Sequence, residues 1–239
     1  MKAMPDSNFI LQLEHEIKEK LYNSKIKSNS QLNQDLFVLI LKNFKTNGIF
    51  VEFGVCDGIF LSNSFILEKK YNWSGIICEP LKSFQTELSQ NRNCTIDHRA
   101  VYSSSNSTVK FREILENKEL SGIYSSFLED NHEITRNENY ISYNVETIGL
   151  TDLLEYHNTP ASIDFISIDT EGSEFDILSN FNFDKYDVDI FTVEHNYIDS
   201  KRTEIKNLME KNSYTRILTD ISQWDDWYVS NKFLNLRNC

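Results

Sequence analysis

Glycine and proline are scarce in this 239-residue chain, at seven and three. That excludes a collagen-like or Pro/Gly-rich disordered polymer. It also leaves few places for a glycine-lined phosphate loop. The four cysteines, Cys56, Cys78, Cys94 and Cys239, show no close pairing and no zinc-ligand spacing. Reduced thiols in a cytoplasmic protein are therefore expected. No apolar run approaches the roughly 18 residues of a membrane-spanning helix. The opening "MKAMPDSNFI" has neither the charged start nor the apolar centre of a secretory leader. Basic residues number 24 against 36 acids, a formal net charge of −12. That balance disfavours nucleic acid and anionic membrane surfaces as partners.

What is present is 40% hydrophobic residues, enough for one domain to bury a core. "FILQLEHEIKEKLY" spaces Ile10, Leu13, Ile17 and Leu21 for an N-terminal helix, and "DLFVLILKNF" predicts a second. Residues 1–46 are read as a helical extension and 47–239 as one domain. Within it strands alternate with helices: "GIFVEF", "LSNSFILEKKY", "SGIICEP", "LKSFQTELSQN", "NCTIDHRAV", then "IDFISID", "EFDILSNF", "DVDIFTVEH" and "KRTEIKNLMEKN". Such alternation implies an α/β fold with a mainly parallel sheet. "YTRILTD" and "DDWYVSN" close the chain as an antiparallel hairpin. Residues 102–148 break the rhythm. "STVKFREI" offers one further strand there, and the rest shows no period, as in a substrate-side insertion or a surface excursion. Phe37, Leu39, Phe165, Ile166, Ile168 and Phe191 read as core, as do Trp224 and Trp227. Asp164 and Asp176 read as surface or capping acids.

In an open α/β sheet ligands bind beyond the carboxyl ends of the strands. "FVEFGVCDGIF" places Glu52, Gly54 and Asp57 there after the first strand, and "SGIICEP" places Glu79 after the second. An acidic turn repels a pyrophosphate and favours a cation, and a carboxylate ending strand two can accept both ribose hydroxyls. Ribose plus positive charge without phosphate describes S-adenosylmethionine.

"FVEFGVCDGIFLSNSF", "GIICEP", "HRAV" and "DFISIDTEGSEFDIL" together resemble the FkbM family of S-adenosylmethionine-dependent methyltransferases, with "IDTEGSE" the most distinctive. Glu52 stands where that family more usually has Asp. The resemblance covers roughly residues 30–200. It implies a Rossmann-like sheet of seven strands, mostly parallel with the last antiparallel. It implies cofactor contacts by Glu52, Gly54, Asp57, Glu79, Asp169 and the backbone of Ala100 and Val101. Ser62 and Asn63, opening the first helix of the sheet, would meet the methionine carboxylate. S-adenosylhomocysteine would be the product. The acceptor would be a hydroxyl on a carbohydrate, a nucleotide-linked sugar or surface-glycan precursor.

An alcohol needs a base or a metal before it attacks. His195, after an apolar strand, is the expected base, with Asp169 and Glu171 orienting it and the acceptor. The alternative is Mg²⁺ on Asp169 and Glu194; no metal-spacing motif supports it, so no metal ligand is assigned. "SGIYSSF" with Tyr140 and Tyr143 could form an aromatic wall for a sugar, or an ordinary loop. Two other classes stay open: an NAD-dependent sugar oxidoreductase, and a non-catalytic binding module on the same fold. A homo-oligomer also stays open.

Overall fold

The computed structural model describes residues 4–126 and 132–238. The elements run α1 (Ser7–Asn23), α2 (Gln34–Leu41), β1 (Ile49–Phe53), α3 (Phe65–Tyr71), β2 (Ser74–Cys78), α4 (Gln85–Asn91) and β3 (Thr95–Asp97). They continue with β4 (Ala100–Tyr102), β5 (Thr108–Ile114), β6 (Gly122–Ile123), α5 (Glu133–Arg136), β7 (Tyr140–Gly149), α6 (Leu150–Tyr156), β8 (Ser162–Ile168) and α7 (Glu174–Ser179). The chain ends with β9 (Asp187–Glu194), α8 (Asp199–Lys211), β10 (Tyr214–Ile217), β11 (Asp225–Ser230) and α9 (Asn231–Arg237).

The main sheet has seven strands in the order β10-β11-β9-β8-β1-β2-β3. β11 runs antiparallel to both neighbours, and the other pairings are parallel. Strand residues alternate between two cores because successive side chains point to opposite faces. Phe50, Phe165, Ile190 and Trp227 enter one core with α1, α2 and α3, while Val51, Ile166, Phe191 and Tyr228 enter the other with α6, α7 and α8. α2 is buried along its whole length, its Leu36–Leu41 run apolar on every side, as a helix inside a core must be. Its Phe37 stacks on Trp227 at 4.5 Å between ring centroids. α1 starts at Asp6, whose carboxylate accepts from Asn8 N and Phe9 N, and buries Leu13 and Ile17 on that same core. Among the described residues no helix is long and apolar enough to cross a membrane.

Four expectations need correction. "NCTIDHRAV" is not one strand. It breaks after Asp97, whose carboxylate accepts from the Arg99 backbone and guanidinium and pairs with His157. β3 stays in the main sheet, and β4 leaves for a second, four-stranded sheet in the order β4-β7-β5-β6. That sheet fills much of residues 102–148. β5 coincides with "STVKFREI", as expected. β7 is illegible in the sequence because its first half is largely exposed, leaving no apolar alternation. Helix α9 follows β11, started by Ser230 Oγ accepting from Phe233 N. Finally, Asp164 is not a surface acid. It is 5% exposed and joins Lys42 and Lys45 while accepting from Ile49 N.

Candidate active site

A cavity of about 570 Å³ opens beyond the carboxyl ends of β1, β2, β8 and β9. One wall carries Glu52, Gly54, Glu79, Asp169 and Glu194 from the main sheet's strand ends. The opposite wall comes from the second sheet and its loops: Ala100, Val101, Phe111, residues 117–123, His132 and Thr135. Most of the expected residues thus come together. Asp57, Ser62 and His195 do not reach the cavity wall.

The turn after β1 is built inward around one carboxylate. Glu52, 2% exposed, accepts from Asn63 N at 2.5 Å, from Ser62 Oγ at 2.9 Å and from Ser64 Oγ. Arg92 lies 3.9 Å away, its guanidinium shared among Glu68, Ser62, Ser64 and Gly58 O. Burial pushes the Glu52 carboxyl up, and Arg92 with those donors pulls it back. The donors expected for a methionine carboxylate are therefore already taken by Glu52. Ser62 also caps the helix, accepting from Ser64 N and Phe65 N. Asp57 closes its own turn by accepting from Ile59 N and Phe60 N, both at 2.8 Å, so it organises the loop instead of facing the cavity. No signal in the sequence points to Arg92, which arrives from the loop before β3.

Gly54 sits at φ +69°, and a Cβ there would lie 2.1 Å from the Asp169 carbonyl oxygen. A side chain would push apart the ends of β1 and β8, where the two candidate loops meet. Glu79 is held against the cavity by Cys56 N at 2.8 Å on Oε2 and Leu81 N at 2.9 Å on Oε1. Each oxygen keeps a further lone pair for a ligand hydroxyl. Burial pushes this carboxyl up to about 7.

The "IDTEGSE" run is a turn tied by its last residue. Glu174 Oε1 accepts from Thr170 N, Thr170 Oγ1 and Gly172 N at 2.9–3.0 Å. This holds Glu171 at φ +59°, a conformation unfavourable for a glutamate. The turn delivers Asp169 and Glu171 beside Glu194 from the end of β9, and oxygens of the three lie within 4.8 Å of one another. Glu171 pairs with Arg136 from α5, and Asn196 Nδ2 donates to Glu194 Oε2 at 2.9 Å. Burial, then the neighbouring acids, raises Glu171 to about 8 and Glu194 well above the carboxylate range. Asp169 is raised to about 7 by burial, offset by its hydrogen bond with Glu194. Acids so close cannot all ionise without a proton or cation among them.

His195 is turned away from this cluster. It is 2% exposed, its Nδ1 accepts from Tyr197 N, and its Nε2 stands 3.8 Å from Asp226. Burial holds it below the usual histidine range. Among the described residues the histidine that borders the cavity is His132, which has no periodic signal to mark it because it lies in the aperiodic insertion. Trp224 was expected in the core with Trp227. Trp227 is fully buried there, while Trp224, half-buried, packs against that core, also lines the cavity and donates to Gln31. Of the proposed wall, Ser121, Gly122 and Ile123 line the cavity. Tyr143 is tied to Glu113, Tyr140 lies outside the cavity lining, and Phe127 falls outside the described residues. Phe60 and Tyr197, both mostly exposed, stand at the lining instead.

Residues 52–227 match the family profile described as the methyltransferase FkbM domain. No curated protein matched the chain. Among solved structures, a precorrin-6y C5,15-methyltransferase from Geobacter metallireducens is similar at 10% identity and TM-score 0.40, over 81% of this chain and 77% of that one. A methyltransferase from Pyrococcus furiosus is similar at 13% identity and TM-score 0.39, over 93% of this chain and 96% of that one.

Proposed function

The chain belongs to the FkbM methyltransferase family, and from that premise we propose that it is an S-adenosylmethionine-dependent O-methyltransferase acting on a carbohydrate hydroxyl. The observation that carries the donor is Glu79. Its buried carboxylate is fixed at the cavity wall by two backbone N–H groups and keeps lone pairs for the vicinal hydroxyls of a ribose. The turn before α3 argues in the same direction. Its Ser62 hydroxyl and its Asn63 and Phe65 amides are engaged by Glu52 and Ser62 and are not free for the pyrophosphate of a dinucleotide. This disfavours the oxidoreductase alternative.

When bound, the cofactor would supply an electrophilic methyl group for the acceptor oxygen. The protein's own task is to align and desolvate the acceptor and to take its proton. Gly54 lets the β1 and β8 loops close on the donor, and Ala100 and Val101 offer an apolar surface beside it. With His195 facing away, the proton-accepting role passes to the Asp169–Glu171–Glu194 cluster. Burial raises the Asp169 carboxyl above the usual range, which favours proton exchange within the cluster. In this reading residues 47–239 form the methyltransferase unit, 1–46 are its helical extension, and 102–148 face the acceptor. Phe60, Tyr197 and Trp224 would present ring faces to a sugar.

Titration calorimetry with S-adenosylhomocysteine tests the donor, and absence of binding ends the reading. A screen of nucleotide sugars with S-adenosylmethionine, read by product mass for one added methyl group, tests the acceptor. If only non-carbohydrate hydroxyls are methylated, the sugar assignment fails and the transferase stands.

A further inference from the structure

Next to the main cavity lies a void of about 10 Å³, bordered by Asp169, Glu194, Asp225 and Asn63. That is room for about one water-sized particle. Asn63, Asp169 and Glu194 also line the main cavity, where Glu171 joins them, and two observations about this group are independent of each other. Asp169, Glu171 and Glu194 converge so that one oxygen from each lies within 4.8 Å of the others. Oxygens bound to a common hard cation at about 2.0–2.6 Å must lie within about 5 Å of one another. The second observation is Asn63, which is 8% exposed and has no hydrogen-bond partner for Oδ1. Its Nδ2 donates to Ser167 Oγ at 2.9 Å. A buried carbonyl oxygen without a donor is costly, and more so when its neighbours are carboxylates, which when ionised are acceptors only. Arg136 is engaged with Glu171, and Gln34 and Asn196 each serve one oxygen, of Asp225 and of Glu194. What this wall lacks is positive charge of small radius.

We propose that Asp169, Glu171 and Glu194 hold a divalent cation of the hard, oxygen-seeking class, Mg²⁺ or Mn²⁺, with Asn63 Oδ1 turned toward it. All the donors are oxygens, which favours these ions over zinc or copper. Each carboxylate offers the ion one oxygen. The ion's purpose rests on the methyltransferase reading: on the cavity side it would fix the acceptor hydroxyl. Its existence does not rest on that reading.

The test is an electron paramagnetic resonance titration of the chelator-stripped full chain with Mn²⁺. S-adenosylhomocysteine affinity is measured on the same samples. Expected are about one Mn²⁺ bound per chain and displacement by Mg²⁺. Glu194→Gln is expected to weaken Mn²⁺ binding by at least about tenfold. Asn63→Asp, which keeps the oxygen, should retain the ion, and Asn63→Ala should weaken it. Circular dichroism establishes that each variant is folded, and if Glu194→Gln is not, the Asn63 pair decides. No Mn²⁺ bound by the wild-type chain, or equal binding by folded Glu194→Gln or by Asn63→Ala, overturns the proposal. S-adenosylhomocysteine bound without any Mn²⁺ removes the cation site and leaves the methyltransferase reading. Mn²⁺ bound without S-adenosylhomocysteine does the reverse.

Discussion

Glu79 gives the sharpest test of the donor site, because its environment fixes both a sign and a size. The side chain is 2% exposed, and burial raises its carboxyl from 4.5 to about 7. Ribose hydroxyls donate to the ionised form, so binding draws on the charged fraction. That fraction is about one tenth at pH 6 and about nine tenths at pH 8. Affinity for S-adenosylhomocysteine should therefore rise about tenfold over this range, or about 1.4 kcal/mol. Stability of the ligand-free protein runs the other way. The folded state holds the proton more tightly, so this contribution is complete below about pH 4.5 and is lost as pH rises through 7. The loss is about 2–3 kcal/mol between pH 5 and 8. The Glu79→Gln variant cannot ionise at this position. It should flatten the affinity profile, remove Glu79's share of the stability loss relative to wild type, and cost about 1–3 kcal/mol of affinity at pH 8, the typical loss of a charged hydrogen-bond partner. Titration calorimetry at pH 6, 7 and 8, with urea denaturation at pH 5 and 8, measures all of this. A wild-type affinity that does not change with pH, or a Glu79→Gln variant that binds as well as wild type at pH 8, would refute the reasoning.

Three further outcomes follow from the same geometry. Arg92→Met leaves Glu52 and Glu68 without their buried guanidinium and should destabilise the fold by about 3–5 kcal/mol in urea; a loss below about 1 kcal/mol would show that the β1 turn does not depend on it. Gly54→Ala places a Cβ 2.1 Å from the Asp169 carbonyl oxygen at φ +69°, so product affinity in calorimetry should fall by about tenfold or more, and unchanged affinity would dissociate Gly54 from the donor site. His195→Asn should leave product affinity unaltered while lowering urea stability by about 1–2 kcal/mol, since it alters a buried side chain behind the cavity; weakened binding with intact stability would return His195 to the site.

Why the carboxylates were legible and their roles were not can be argued from Glu52. Its position after an apolar strand marks the loop where an open sheet binds ligands. Its use depends on Ser62, Ser64 and Arg92, which lie 10, 12 and 40 residues further along the chain. The same holds for His195. The strand before it is plain from "DVDIFTVEH", but the side on which its ring emerges is set by pairing with β11, where His195 N donates to Trp224 O. His132 and β7 were hidden for the opposite reason. They lie in a region whose half-exposed strands carry no alternation to read.

The sequence alone determined the strand–helix alternation of the main sheet, the two apolar faces of that sheet, and the acids that gather at its carboxyl edge. Local periodicity and strand-end chemistry suffice for these. Tertiary structure alone decided which acids face the cavity with open lone pairs and which tie the loop. It turned Glu52 and Asp57 inward, left Glu79 facing the cavity, and brought Glu171 and Glu194 together from loops 23 residues apart. A carboxylate's role is set by how many donors already fill its lone pairs, and that count exists only once the chain has folded.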